Sequence, residues 1–320
     1  MYGVGNYLQP LCILMAGALL QFVFVERSTK VDKSPVWPPE RAAAASLEIN
    51  CGKLTIEPLS YVRLGNRMFQ YASLYGLAKK NRKTPLWQDL DEIERRTFSN
   101  SFSLSMKRTE PGESFEIRHA YNCCKFERDL TVLPCGKNYS LWGSLQSWKY
   151  FDIYADKIRK EFQFRGSVKR ECERIFKSLR FQTLVGVHIR REDYLDSLNV
   201  FWGYVTTSNV FLSAAMNWYR NKFSDVRFLV FGNDIAWNKL HFQNTSDAIV
   251  MPSNSAIVDM CLLAKCNHSI ITNGSFGWWA AFLANGFTLY PSRFAAAKSR
   301  FYHEKDPYDF YLPQWIAINL

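Results

Sequence analysis

The stretch TLVGVHIRRED, which runs from Thr183 to Asp193, begins with an unbroken apolar run and ends in a cluster of charges. A short, continuous and β-branched apolar run is typical of a strand that is buried on both faces of a parallel sheet. The charged residues after it therefore lie at the carboxyl end of the strand. This is the edge at which open α/β sheets bind their ligands.

The same alternation of short apolar runs and helix-like spacing continues downstream of this stretch. The sequence predicts strands at 183–189, 226–231, 269–271 and 287–290, with helices between them at 210–223, 256–266 and 276–284. Upstream it predicts a strand at 54–59, a loop at 63–66, a helix at 68–81 and a short strand at 140–144. Strands that alternate with helices indicate an α/β fold with parallel sheets and right-handed crossovers.

Length and composition indicate a folded protein with room for two domains. The chain has 320 residues, of which 48% are hydrophobic and 16% aromatic. Forty Lys and Arg against 29 Asp and Glu give a net charge of +11, which favours anionic partners such as a nucleotide diphosphate. The basic residues are spread along the chain rather than gathered in one arm or stripe, so we expect no nucleic-acid partner.

The N-terminus is predicted to associate with a membrane. Residues 1–25 carry no charge, and we expect a signal-anchor at about 7–25, followed by a Pro- and Ala-containing stem at 26–50. A cleaved signal peptide is the alternative. The positive-inside rule would place the remainder of the chain in the cytosol, because three basic residues follow the apolar segment: Arg27, Lys30 and Lys33.

Cysteines and glycosylation sequons favour a secretory route. Seven cysteines follow the apolar segment at irregular spacings without nearby His partners, which favours disulfides over zinc and leaves at least one free thiol. No Asp-x-Asp stands at a strand end, so we expect no metal. The sequons begin at Asn138, Asn244, Asn267 and Asn273.

Three polar segments follow predicted strands and should meet in one crevice: HIRRED at 188–193, GND at 232–234 and TNGS at 272–275. Arg190 and Arg191 suit a diphosphate, because guanidinium offers a planar fork of donors; the alternative is a solvated ion-pair turn. Asp234 is either an acceptor for guanine or ribose, or a helix cap.

Two further segments can contribute to an anion site. Gly274 permits close backbone approach at a helix start, where N–H groups and the dipole favour an anion, while Ser275 is alternatively a simple N-cap. The Arg63-to-Asn66 loop, which includes Gly65, is either a second phosphate-facing loop or a turn with Gly65 at positive φ. Trp278 and Trp279 lie in an apolar helix, which predicts core packing for at least one of them.

Taken together, these motifs resemble the galactoside α-1,2-fucosyltransferase family. The resemblance covers residues 54 to 290 in the family's order and rests on RLGNRMFQYASLYGLAKKN from Arg63, GSLQSWKYF from Gly143, VGVHIRREDY from Val185, FGNDIAW from Phe231 and ITNGSFGWWAAFLA from Ile271. It implies a GT-B-like fold with two Rossmann-like domains, an acceptor-side domain at 51–180 and a GDP-fucose-binding domain at 181–320. It also implies a single-pass type II Golgi membrane protein with a lumenal catalytic body, which overrides the charge argument.

The resemblance implies inverting transfer of L-fucose from GDP-fucose to the 2-hydroxyl of a galactose-terminated glycan, without metal or other cofactor. Arg190 would hold the diphosphate, and His188 and Asp193 would shape the site. Asn273, Ser275 and Phe276 would line the donor pocket, so we predict that the sequon at Asn273 is unused.

The chain departs from the family pattern at two positions. Arg67 replaces a usual Gln and Glu192 replaces a usual Gly, which leaves the acceptor less defined than the reaction. For the base, Asp193 is favoured, then Glu192 or a water-relayed route. Alternative functions are a fucosyltransferase of another linkage or acceptor, including protein O-fucosylation, and a noncatalytic glycan-binding relative.

Overall fold

Two parallel β-sheets and the helices around them make up the part of the chain that the computed structural model describes, residues 50–59, 63–179 and 183–319. The predicted anchor and most of the stem, residues 1–49, lie outside the described residues. In the described ranges, no helix is both long enough and apolar enough to cross a membrane.

Eleven strands are assigned in the described residues. The first half contains β1 (Lys53–Ile56), β2 (Thr84–Trp87), β3 (Lys107–Arg108), β4 (Glu116–His119) and β5 (Tyr139–Trp142). The second half contains β6 (Thr183–Ile189), β7 (Val226–Gly232), β8 (Ala248–Val250), β9 (His268–Ile271), β10 (Thr288–Pro291) and β11 (Ile316–Ile318).

The helices lie between these strands. They are α1 (Leu64–Lys80), α2 (Glu92–Thr97), α3 (Ala155–Glu161), α4 (Gly166–Phe176), α5 (Ser197–Trp202), α6 (Asn209–Lys222), α7 (Ile235–Phe242), α8 (Ala256–Ala264), α9 (Ser275–Ala284), α10 (Arg300–Glu304) and α11 (Pro307–Phe310). Short 3₁₀ turns lie at Ser99–Ser101, Arg128–Thr131, Trp148–Tyr150, Asp152–Tyr154 and Glu192–Leu195.

The strand order confirms the predicted α/β class. The first sheet has the order β3-β2-β1-β5-β4 and the second the order β11-β10-β9-β6-β7-β8. Every pairing between named strands is parallel. Central strand β6 pairs with β7 over seven positions, from Thr183 opposite Val226 to Ile189 opposite Gly232. Its apolar run is buried after the first residue, as expected for a strand that is covered on both faces.

Helix α1 starts earlier than the sequence predicts. The segment expected to form a loop at 63–66 is the first turn of α1, and Arg63 occupies the N-cap position without a capping side-chain bond. No acidic residue stands in this first turn, so the usual sequence signals of a helix start are missing. Lys79 and Lys80 in the last turn complement the negative end of the helix dipole.

Helices α1 and α9 join the cores of the two halves. Phe69 of α1 packs with its ring 4.5 Å from that of Trp278 and 5.1 Å from that of Trp279. Both tryptophans are fully buried, which confirms their predicted place in the core. Because these rings bring together residues from both halves, they fix the start of α1 against the start of α9.

Disulfides and the C-terminal segment add further links. Cys51 pairs with Cys135, Cys123 with its neighbour Cys124, and Cys172 with Cys261, while Cys266 is a buried free thiol, as the odd count requires. The chain after α10 packs against the first half, where Asp309 accepts hydrogen bonds from the Phe126 N–H at 2.8 Å and from the Lys149 ammonium at 2.5 Å.

Candidate active site

A cavity of about 560 Å³ lies where the carboxyl ends of the second sheet's central strands face the start of α1. It brings together eight of the site residues that the sequence predicts: Gly65, Asn66, His188, Arg190, Asp193, Gly274, Ser275 and Phe276. Segments more than 200 positions apart in the sequence therefore converge here, as the rule for the strand ends of α/β sheets predicts.

The N-termini of α1 and α9 meet at this cavity. The Ser275 hydroxyl of α9 donates a hydrogen bond to the side-chain oxygen of Asn66 in α1. A Cβ built on Gly65 would lie 2.7 Å from the backbone nitrogen of Phe276, so only glycine allows this approach. Helix starts carry N–H groups without intrahelical acceptors and the positive end of the dipole, which is the chemistry of an anion site.

The structure does not bear out the two alternative interpretations of these helix starts. Gly65 lies inside α1 rather than at positive φ in a turn. Ser275 is the first residue of α9 and not its N-cap, because Gly274 occupies that position with a φ of 125°. The Ser275 hydroxyl is instead engaged with Asn66 across the cavity. These contacts leave the α9 start without a capping side chain.

Hydrogen bonds of its backbone and of its side chain hold Arg190 in place. Its N–H donates to the Thr272 hydroxyl at 2.8 Å, and its guanidinium forks onto Asp193, with Nε 3.0 Å from Oδ1 and a second nitrogen bonded to Oδ2. The guanidinium also lies 5.3 Å from the centre of the Tyr194 ring. Burial acts to lower the pKa of Arg190, but its hydrogen bond to Asp193 and the electrostatic attraction of Asp193 and the nearby tyrosines together raise it, and the group stays charged.

Asp193 is fully engaged by donors. Besides Arg190, it accepts from the Asn233 amide at 2.9 Å, and the Arg63 guanidinium lies 3.7 Å away. Burial acts to raise the pKa of Asp193, but the hydrogen bond and charge of Arg190 hold it below its usual range. A carboxylate with a lowered pKa is a weak proton acceptor, so this arrangement suits positioning of Arg190 better than general base catalysis.

His188 forms part of the apolar wall of the cavity. Its ring packs against that of Phe276 at an angle of 31°, with 4.8 Å between the ring centres, and its Nδ1 has no hydrogen-bond partner among the described residues. Burial, together with the nearby charge of Arg190, lowers the pKa of His188 to about 3. The imidazole is therefore neutral at neutral pH and contributes shape rather than charge.

Arg191 and Asp234 do not line the cavity. Arg191 lies 3.3 Å from the Asp234 carboxylate and stacks on the Trp237 ring at 4.8 Å. Asp234 caps α7 by accepting the Trp237 N–H at 3.0 Å. This pair forms the ion-pair turn and the helix cap of the alternative interpretations, and its contact with a nucleotide stays a prediction.

Asn273 lies behind the cavity rather than in its lining. It is 2% exposed, donates to the Arg293 carbonyl at 3.3 Å and accepts from the Tyr311 hydroxyl at 3.2 Å. This residue therefore holds the α9 start in place. Its burial leaves no room for a glycan, and the unused sequon at this position stays a prediction.

Neither of the two departures from the family pattern lines the cavity. Arg67 is buried in the first half, where it pairs with Glu94, donates to Gln70 at 2.6 Å and lies 4.2 Å from the Trp87 ring centre. Glu192 is exposed and does not line the cavity. Arg67 therefore stabilises the first half, and Glu192 is poorly placed to act as a base.

The sequence analysis missed two ionisable residues in the cavity wall, Asp259 and Lys305. Asp259 lies in the first turn of α8 and accepts the Asn254 amide at 2.8 Å. Burial raises its pKa to about 6, against the lowering effect of Asn254. The available signal was the single acid in the otherwise apolar run AIVDMCLLA, because a carboxyl group in a buried segment needs a hydrogen-bond partner or a functional role.

Comparison with known proteins identifies the family of this chain. The sequence profile of glycosyl transferase family 11 matches residues 36–319, nearly nine-tenths of the chain. The chain belongs to this family. The sequence is similar to that of bovine galactoside alpha-(1,2)-fucosyltransferase 1, with 30% identity over 88% of this chain and 79% of the relative. The pig galactoside alpha-(1,2)-fucosyltransferase 2 is 28% identical over 97% of this chain and 94% of the relative.

Among solved structures, fucosyltransferase NodZ from Bradyrhizobium is similar to this family 11 chain, with a TM-score of 0.48 and 13% identity over 72% of this chain and 92% of that chain. In the described part of the chain, no group of three or more His, Cys, Asp or Glu side chains is arranged to hold a metal ion.

Proposed function

We propose that this family 11 enzyme transfers L-fucose from GDP-fucose to the 2-hydroxyl of a terminal galactose on a glycan, with inversion at the fucose anomeric carbon. One observation carries the proposal: Arg190 and the starts of α1 and α9 converge on a single cavity. They do so in a chain whose relatives are named galactoside alpha-(1,2)-fucosyltransferases.

The donor diphosphate is proposed to lie against Arg190 and the two helix starts. A nucleotide diphosphate needs fixed cationic groups and N–H donors, and a guanidinium binds two phosphate oxygens at once. Asn66 and Ser275 hold the helix starts together. Phe276 and His188 supply an apolar wall that excludes water. No metal or other cofactor is needed in this account, because the cations of the protein supply the positive charge.

The guanine base is proposed to lie against Asp259 rather than Asp234. The carboxyl group of Asp259 lines the cavity, whereas that of Asp234 is held by Arg191 and by the cap of α7. Guanine presents two adjacent N–H donors, and a carboxylate offers two acceptor oxygens in matching positions. With a pKa of about 6, Asp259 is mostly ionised at neutral pH and can accept both hydrogen bonds.

In the transfer step, the bond from the fucose anomeric carbon to the β-phosphate oxygen breaks as the galactose 2-oxygen attacks from the opposite face. The leaving GDP gains negative charge, and preorganised groups that stabilise such charge contribute the largest part of many enzymatic accelerations. The acceptor proton then leaves by a weakly assisted or water-relayed route, because Asp193 is held by Arg190 and Glu192 lies outside the cavity.

We further propose the predicted setting: a signal-anchor at about 7–25, a stem, and a catalytic body in the Golgi lumen. The three disulfides support an oxidising compartment, since such bonds are rare in the cytosol. Two of the sequon asparagines, Asn244 and Asn267, are exposed and open to glycosylation. The domain boundaries at 51–180 and 181–320 remain part of this proposal.

The proposal is tested with the full chain in detergent, GDP-fucose and a galactose-terminated glycan, beside the matched 2-deoxygalactose acceptor. We expect transfer to the first acceptor, none to the second, and no loss of rate with a chelator. Equal transfer to both acceptors would indicate another linkage. Transfer to a protein alone would indicate protein O-fucosylation, and binding of GDP without any transfer would indicate a noncatalytic relative.

A further inference from the structure

Lys305 lies in the wall of the cavity, between α10 and α11, and is 3% exposed. Its backbone is fixed by the first half of the chain. The Cys124 N–H donates to the Glu304 carbonyl at 3.3 Å, and the Asp306 N–H donates to the Cys124 carbonyl at 3.2 Å. The backbone on either side of Lys305 is therefore held at Cys124.

Aromatic rings surround the ammonium group. Its nitrogen lies 3.8 Å from the centre of the Phe310 ring, and the rings of Tyr311, Phe294 and Phe301 lie at 4.7, 5.3 and 5.7 Å. It donates one hydrogen bond, to the Tyr311 hydroxyl at 3.3 Å. Tyr311 in turn bonds Asn273, which directly precedes the Gly274 N-cap of α9. Lys305 is thereby linked to the helix start proposed to bind phosphate.

No carboxylate among the described residues pairs with Lys305. The acids on the surrounding elements are engaged elsewhere: Glu304 with Arg300, Asp309 with Lys149, Asp306 with the Tyr308 N–H and Asp193 with Arg190. The other titratable groups nearby, His188, Tyr194 and Tyr204, are neutral at neutral pH, because burial shifts each pKa towards the neutral form.

Lys83 shows how this chain satisfies a buried lysine that has a structural role. Its ammonium donates to three carbonyls, those of Cys51, Pro134 and Lys137, at 2.7 to 2.9 Å. Lys305 lines the cavity but has only one neutral acceptor, the Tyr311 hydroxyl. A buried charge without a counter-ion is costly, and burial accordingly lowers the pKa of Lys305 to about 7.

We propose that Lys305 is the counter-ion that the site reserves for the donor diphosphate, and that it takes up a proton when the nucleotide sugar binds. This inference rests on the proposed donor. The free enzyme holds the amine partly neutral, which spares the cost of an unpaired buried charge. The incoming dianion restores the full charge, so the positive charge appears when GDP-fucose is present to pair with it.

The inference predicts a measurable proton uptake. With a pKa near 7 in the free enzyme, Lys305 takes up about 0.1 proton at pH 6, about 0.5 at pH 7 and about 0.9 at pH 8 for each GDP-fucose bound. Asp259, which has a pKa of about 6 and is proposed to bind guanine as the carboxylate, releases about 0.5 proton at pH 6 and about 0.1 at pH 7. The net expectation is a release of about 0.4 proton at pH 6, an uptake of about 0.4 at pH 7 and an uptake of about 0.9 at pH 8. The diphosphate of GDP-fucose is a diester that does not gain or lose a proton in this pH range. The group that takes up the proton must therefore belong to the protein. At pH 8, Asp259 is ionised before and after binding and adds nothing.

The experiment is calorimetric titration of the full chain with GDP-fucose, without acceptor, in two buffers of different ionisation enthalpy at each pH. Lys305→Met should abolish the uptake and weaken binding about tenfold or more, because a hydrogen bond to a charged group is lost. Lys222→Met removes an exposed lysine of α6 and serves as the matched control, which should behave as the wild type.

Each outcome decides the inference. Wild-type uptake near 0.9 at pH 8 that disappears in Lys305→Met supports it, and if that variant fails to fold, the wild-type series from pH 6 to 8 decides alone. Unchanged affinity and uptake in a folded Lys305→Met protein overturns the inference while leaving the donor assignment intact. A wild-type chain that does not bind GDP-fucose overturns the proposed function and this inference with it.

Discussion

Replacing Gly65 by alanine tests whether the contact between the two helix starts builds the site. In α1, a Cβ at this position would lie 2.7 Å from the Phe276 nitrogen and 2.8 Å from the Ser275 hydroxyl oxygen. The serine side chain can rotate away, but the backbone of α9 cannot. The starts of α1 and α9 must therefore separate by several tenths of an ångström or more before the methyl group fits.

Two opposing effects set the magnitude for Gly65→Ala. Alanine in a helix is intrinsically more favourable than glycine by about 1 kcal/mol. Overpacking against backbone costs about 1–3 kcal/mol, so the net change in unfolding free energy is a loss of up to about 2 kcal/mol. The expected loss of turnover is up to about a hundredfold, which is the effect of a displacement on the order of 1 Å at a site.

The assay compares Gly65→Ala with Gly112→Ala by thermal denaturation, GDP-fucose titration and initial rates of transfer. Unlike Gly65, Gly112 has nothing within 4 Å of the position that a Cβ would take, but its φ of 86° imposes a backbone cost on alanine. We expect the control to lose stability and keep its kcat/KM. If Gly65→Ala is more stable than the wild type and equally active, the close contact of α1 and α9 is not what forms the site.

The remaining predictions concern the arginine pair and Asp259. Arg190→Ala should lower kcat/KM by about 10²–10³-fold, while Arg191→Ala, which loses only the Asp234 pair and the Trp237 stack, should lose about tenfold or less in the same rate assay. Because burial raises the pKa of Asp259 to about 6, its neutral form stabilises the free protein at low pH, and this contribution is lost as pH rises through 6. The unfolding free energy of the wild type should therefore fall by up to about 3 kcal/mol between pH 4 and 7 because of Asp259 alone, and this part of the fall should be absent in Asp259→Asn. Denaturant titration of both proteins at both pH values measures the difference. An unchanged pH dependence in the variant would contradict the buried position of this carboxyl group.

The sequence predicts the second sheet well because its strands are buried on both faces. The runs that form β6, β7 and β9 are continuous and apolar, and they end at the polar segments that the structure brings together. The short strands β8 and β11 of this sheet were not predicted, and in the first half β2, β3 and β4 were not predicted. The four residues of β2 include a proline, and the edge strand β4, EIRH, is mostly exposed, so neither has the apolar periodicity that identifies a strand.

Site residues could be predicted from the sequence where they follow a strand within one motif. They could not be predicted where contacts between distant segments bring them to the cavity. Arg190 follows a strand, and this position indicated that the arginine pair lies at the crevice, while the family resemblance assigned the diphosphate to Arg190. Lys305 is in a segment without any motif, and it reaches the cavity only because the C-terminal chain pairs with Cys124. Arg191 is also an arginine and directly follows Arg190 in the sequence. Its side chain nevertheless pairs with Asp234 and not with Asp193. Such differences depend on tertiary contacts that no local pattern records.

The most direct test of the central claim is the structure of the product. The full chain is incubated with GDP-fucose and a galactose-terminated acceptor, and the product is examined by NMR for the anomeric configuration and the attachment carbon. The account predicts an α-linked fucose whose anomeric carbon correlates with the proton on galactose C2. A β-linked product, or fucose attached at any other position, would contradict it.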